Sequence, residues 1–246
     1  MEVLFGRGMR YRRAYPHGYR PAVWPTDWRS RNRTYTRENL DHTLAVSRFL
    51  IDLEIECRGR SDVSLIPFED ILAASPEATR KSRFPMSWSV PIQWHGGKAE
   101  VEITPDAIFG LRVVRADGSA ARAYFFLEVD RGTMTIVPSE RVRESDAFPY
   151  RATILRKLYA YADSYKLGLH HERFGIRAPR VFFVSTSVER IEKFRSVSTN
   201  LAPQEPTAWH FWLWSSRRTR RILDCPAWRS RLTACQLTKS ANALLL

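Results

Sequence analysis

Apolar and polar positions along this chain follow two periods, and where one gives way to the other marks its elements. From about Asn39 to Cys57 the spacing is helical, with Leu40, Leu44, Ile51 and Ile55 recurring on one face, and Arg58-Gly59 closes the segment. A short strand is predicted at 63–67, a helical turn at 69–74, and strands near 87–95 and 100–104 joined by a Gly96-Gly97 turn. His95 in that turn is left without a role. Two strand-length runs rich in Val, Ile, Phe and Tyr then flank a short Asp-Gly loop, the pattern of a β-hairpin over 105–133. A polar loop follows to Phe148. A helix is predicted from about Tyr150 to Leu167, with Ile154, Leu158, Ala162 and Tyr165 as its core stripe. The continuous run Arg180 to Ser185 reads as a buried strand. Ser187 caps a helix from 188 to about 195, and an aromatic strand spans Trp209 to Trp214. Helix, strands, helix, strand, helix, strand is the order of an α/β sandwich with a mixed sheet and helices on both faces.

The hairpin gathers acids. With a three-residue loop of Ala116, Asp117 and left-handed Gly118, Asp106 sits opposite Glu128. A two-residue loop would pair Asp106 with Val129 and turn it to the other face. The three-residue loop is the expectation. Carboxylates crowded at one strand end repel unless a proton or a cation lies between them, and a hard divalent ion such as Mg²⁺ is the simplest resolution. Asp52, Glu54 and Glu56 also crowd the last turns of the first helix, where its dipole disfavours negative charge.

Charge changes the picture at the two ends. The 246 residues carry a net charge of +13. Residues 1–37 hold nine Arg against Glu2 and Asp27, and residues 214–246 hold six Arg and Lys239 against Asp224, while the body between is neutral. A neutral body with basic ends suits contact with a polyanion at its edges, and such contact weakens with salt. The first segment has no periodicity and reads as an irregular arm. Its Arg10, Arg12, Arg13, Arg29, Arg31 and Arg33 interleave with Tyr and Trp rings that either stack on bases or pack the arm onto the domain. Beyond Ser215 periodicity vanishes and a basic, disordered tail is expected. No apolar run approaches the length of about 18 residues for a membrane helix, so a cytoplasmic protein without membrane contact is expected. Cys57, Cys225 and Cys235 lack metal-site spacing. No phosphate-binding glycine loop or Ser-His-Asp arrangement is present, which sets NTPase and serine-hydrolase chemistry aside.

A helix with terminal acids, a strand opened by Pro105-Asp106, a second ending in Glu128-Val129-Asp130, then a helix and a strand resemble the PD-(D/E)xK nuclease core. The strings N-L-D-H-T-L-A-V at 39–46, P-D-A-I at 105–108, F-F-L-E-V-D-R-G-T at 125–133 and I-L-R-K-L-Y-A-Y at 154–161 resemble the replication-relaxation family of bacterial plasmids and mobile elements. The resemblance implies a restriction-endonuclease-like sandwich over 38–214, following a 1–37 arm that is the remnant of a DNA-binding segment and preceding the 215–246 tail. It implies Asp106 and Glu128 as ligands of Mg²⁺, with Mn²⁺ as a substitute, and Glu54 as a further metal contact. Asp130 stands where the family's lysine is expected. Either Lys157 replaces that lysine from the next helix, or Asp130 is a third ligand. Lys157 is otherwise a solvent lysine. Arg131 would clamp a phosphate. The implied partner is double-stranded plasmid DNA, with other replication or transfer proteins beside it. Three readings follow: a DNA-binding replication or relaxation protein with a nuclease-like core, an active Mg²⁺-dependent endonuclease or nickase, or structural acids, with Asp106 capping a turn and Glu128 paired to Arg131 or Arg156.

Overall fold

The computed structural model describes residues 37–94, 97–115, 117–145, 148–185, 187–201, 211–215 and 223. The arm with its six named arginines, His95, and the tail beyond Ser215 apart from Leu223 lie outside them. Helix α1 (Arg37–Arg58) leads into β1 (Val63–Ile66), followed by two short helices, α2 (Phe68–Ala74) and α3 (Glu77–Arg80). Strands β2 (Trp88–Trp94) and β3 (Gly97–Ile103) form a hairpin, and β4 (Ala107–Val114) and β5 (Ala120–Asp130) form a second. After α4 (Glu140–Arg143) and one 3-10 turn come α5 (Ile154–Lys166), α6 (Leu169–Phe174), β6 (Arg180–Ser185), α7 (Val188–Leu201) and β7 (Phe211–Ser215).

Five strands make one mixed sheet in the order β1-β4-β5-β6-β7; β2 and β3 pair only with each other. The pairs β1-β4 and β4-β5 are antiparallel, whereas β5-β6 and β6-β7 are parallel. Strands buried on both faces explain the unbroken apolar runs of the sequence. On one face Phe109, Leu111, Phe125, Leu127 and Phe182 pack under α1. On the other, Ile108, Phe126 and Phe183 meet the β2-β3 hairpin, α5 and α7. The expected mixed sheet between helices is therefore present. The detached β2-β3 sheet, α3 and α6 were not legible, because alternation marks a strand without saying which sheet it joins, and α3 and α6, of four and six residues, are too short to show a helical period.

The β4-β5 register is the expected one. Ala107 pairs with Leu127 and Val114 with Ala120, so partners sum as the three-residue loop requires, and Gly118 takes φ +79°. Asp117 Oδ1 accepts the Ser119 N–H at 2.9 Å, and the Arg115 N–H donates to the Ser119 carbonyl. Loop chemistry thus fixes which acids meet 10 residues away.

One sequence expectation is corrected. The stripe Leu40, Leu44, Ile51 and Ile55 does not face the core: Leu44, Ile51 and Ile55 are 53%, 55% and 61% exposed. Helix α1 carries two apolar stripes, and the one that docks is Phe49, Leu53 and Cys57, flanked by Val46 and Leu50. Phe49 decides the choice, because its ring reaches both Phe109 and Phe182 at centroid distances of 6.1 and 5.6 Å. Truncating Ile55 to Ala is expected to leave the unfolding free energy within about 0.5 kcal/mol in urea titrations. A larger loss would mean that this stripe is covered.

Candidate functional site

The ladder ends at the pair Ala107-Leu127, and Asp106 stands in a bend just before β4. The Asp106 N–H donates to the Leu127 carbonyl at 2.9 Å, which leaves Asp106 beside Glu128 at the end of the sheet. Strand alternation puts Glu128 on the face that bears Phe126, and both acids line the same cleft. Asp106 Oδ2 accepts the Val129 N–H at 2.7 Å, and Oδ1 lies 3.0 Å from His42 Nε2, an early residue of α1. Glu128 is buried. Its Oε2 accepts from Lys157 Nζ at 2.5 Å and its Oε1 from the Tyr161 hydroxyl at 2.6 Å. Lys157 and Tyr161 stand one turn apart on α5, whose start is capped by Thr153. His42, Asp106, Glu128 and Lys157, together with Asp130 and Arg131, line an open cleft of about 260 Å³, with Tyr161 buried behind it.

Burial pushes the Glu128 carboxyl above its usual range, and the neighbouring Lys157 charge offsets only part of that. Burial pulls the Lys157 ammonium down, but the Glu128 and Asp106 charges outweigh it and hold the group above its ordinary value. Burial, and then Glu128, lift Tyr161 well above 10, so it remains a donor. The hydrogen bond to Asp106 raises the half-buried His42 above 6.5 against the opposing effect of burial. A raised histidine contributes stability that is fully present below pH 6.5 and is lost as pH climbs through its folded value. Proton titration by NMR is therefore expected to place His42 above 6.5, and Asp106→Asn to bring it down. A His42 that titrates at its ordinary value in both proteins would exclude the ion pair.

The acids expected at this site divide. Asp106 and Glu128 do come together, and Lys157, instead of being a solvent lysine, reaches Glu128 from α5. Glu128 pairs with Lys157 and Tyr161, not with Arg131 or Arg156. Arg131 lines the cleft and is held by Asp41 at 3.1 Å. Glu54 is a correction. It lies 12 residues beyond His42 on α1, about 18 Å along the axis, where it accepts a 2.6 Å bond from Arg58 and lines a different groove. Asp130 shares the cleft wall, but both its oxygens are engaged. Arg190 grips it through Nε at 2.6 Å and Nη2 at 2.8 Å, and the Ser185 hydroxyl and Gly132 N–H add bonds at 3.0 and 3.1 Å. Sequence reasoning missed His42, Tyr161 and Arg190 as partners. The Asp41-His42 pair inside the 39–46 string, and the four-residue step from Lys157 to Tyr161, were signals that could have found the first two.

Mg²⁺ characteristically takes one or two carboxylates and completes its shell with water and substrate phosphate. Asp106 and Glu128 supply that donor set, each oxygen retaining a lone pair beyond the bond it accepts. Among the described residues no group of three His, Cys, Asp or Glu side chains converges as a ready-made metal cage. The two carboxylates are compatible in donor type with one such ion. No described helix is long and apolar enough to cross a membrane. A family model described as replication-relaxation matches residues 8–177. No curated protein and no solved structure matches the chain.

Proposed function

The chain belongs to the replication-relaxation family, and from that premise we propose that it acts on the DNA of a plasmid or other mobile element during replication or relaxation. In this reading residues 38–214 are a restriction-endonuclease-like core, and the basic arm and tail hold duplex DNA in the cytoplasm, alongside other replication or transfer proteins. The observation that supports a binding role for the core is its internal charge balance. Glu128 is closed on both oxygens by Lys157 and Tyr161, and Asp106 by His42 and the Val129 amide. The acids are thus compensated by the chain's own cations and donors, while Arg131 and Lys157 remain along the cleft wall as groups of the right charge for a phosphate.

A second reading, an active Mg²⁺- or Mn²⁺-dependent endonuclease or nickase, is favoured by one feature: Lys157 supplies in space the ammonium that Asp130 removes from the sequence motif. Asp106 and Glu128 would hold the ion, which when bound polarises the phosphodiester and makes a water acidic. Lys157 would orient that water and neutralise charge on the phosphate, and His42 would keep Asp106 in place. Incubation with supercoiled plasmid in Mg²⁺ or Mn²⁺, beside EDTA and the Asp106→Ala and Glu128→Ala variants, separates the two. Plasmid retarded but uncut, and released by salt, supports the binding role. Nicked or linear product that needs metal and both acids supports the nuclease. Plasmid neither retarded nor cut at low salt overturns both.

A further inference from the structure

At the far end of the same hairpin the chain sets two arginines against each other. Arg112 on β4 and Arg122 on β5 are register partners, directly opposite across the ladder, and both are exposed. They lie on the face that carries Glu128, six residues along β5 from Arg122. Like charges directly opposite on antiparallel strands, with Cβ atoms about 5 Å apart, destabilise a sheet. Neither guanidinium has an ion-pair or hydrogen-bond partner among the described residues. Ser64 of β1 is the neighbour of Arg112 on its other side. Arg112 also borders a groove of about 370 Å³ with Arg58, Arg60 and Ser61. There Arg58 and Arg60 are bound to Glu54 and Asp62, whereas Arg112 has no such partner among the described residues.

We propose that the Arg112-Arg122 pair is a second DNA contact, a cross-strand clamp on the phosphate backbone at the end of the sheet remote from the acid cleft. The inference rests on the reading of the protein as DNA-binding and adds a place where duplex is gripped within the body, apart from the basic ends. A phosphate between the two forks accepts hydrogen bonds from both and cancels their repulsion. A backbone contact of this kind is blind to sequence.

Fluorescence anisotropy of the full chain on a labelled duplex, titrated from low to physiological salt, tests it with the Arg112→Gln/Arg122→Gln variant. Two lost phosphate contacts reduce the slope of log affinity against log salt by about 1.8, with weakening by about tenfold or more near 0.1 M salt, equally on a scrambled duplex. The variant's melting temperature should match or exceed the wild-type value, since repulsion is removed and nothing is unburied. Equal slope and affinity in both proteins would overturn the clamp while leaving DNA binding intact. Loss of polyglutamate binding with unchanged duplex binding would assign the pair to an acidic protein instead. No duplex binding by the wild-type chain would remove the clamp together with the reading beneath it.

Discussion

Lys157→Met is expected to lower the free energy of unfolding by about 3–5 kcal/mol at pH 7, because it leaves a buried carboxylate without its cation. Glu128 is the more deeply enclosed partner, with 4% of its side chain exposed against 25% for Lys157. Once Lys157 is gone, burial and the Asp106 charge act on Glu128 unopposed, and only the Tyr161 hydroxyl still donates to it. Its folded pKa, already raised, rises further. The sign of the pH dependence follows. A carboxyl raised on folding costs nothing below its unfolded value of 4.5, where both states are protonated, and the cost grows as pH climbs through the folded value. The variant's deficit should therefore be smallest near pH 4 and largest at neutral pH in urea titrations. Adding Glu128→Gln removes the stranded charge, keeps an acceptor for Tyr161, and should recover most of the loss. A single variant within about 1 kcal/mol of wild type at pH 7, or a double variant no better than the single, would show that the pair is not the buried unit the geometry describes.

What could be read in the sequence was what short range decides. The Asp-Gly loop set the β4-β5 register up to Ala107-Leu127, which brings the bend at Asp106 to the strand end that carries Glu128. Pro105, the alternation on either side of the loop and the unbroken run before Ser185 likewise gave the strands and their burial. The docking face of α1 was a different problem. Two apolar stripes share one helix, and only the ring of Phe49 meeting Phe109 and Phe182 breaks the tie, a contact between elements that no periodicity carries. The same limit explains the site. That Lys157 and Tyr161 share a helix face was visible from their four-residue spacing. That this face closes on Glu128 required knowing how α5 crosses the sheet. Glu54 came into the metal set only through the family resemblance, and the charge at its helix end is answered by Arg58 one turn on.

Asp130 is where sequence and structure differ most in consequence, and Arg190→Met decides its role. If Asp130 is a metal ligand in waiting, Arg190 is a placeholder and its loss is mild. The geometry argues otherwise. The guanidinium makes a two-pronged contact with a carboxylate that is 2% exposed, donates from Nη2 to the Met134 carbonyl at 2.7 Å, and lies over the Phe194 ring at 5.7 Å. It thus ties the end of β5, the start of α7 and the loop after Gly132 into one unit, with Ser185 bringing in β6. Removing it strands Asp130 on two weaker donors and leaves the Met134 carbonyl without this bond, for an expected loss of about 3–5 kcal/mol. Arg190→Lys should recover only part, since one ammonium cannot reproduce the planar fork. Millimolar Mg²⁺ or Mn²⁺ should raise the melting temperature of Arg190→Met no more than that of the wild-type chain. A selective rescue of the variant by either ion would make Asp130 a ligand and Arg190 its substitute cation, and would move the third acid of the motif from the scaffold into the site.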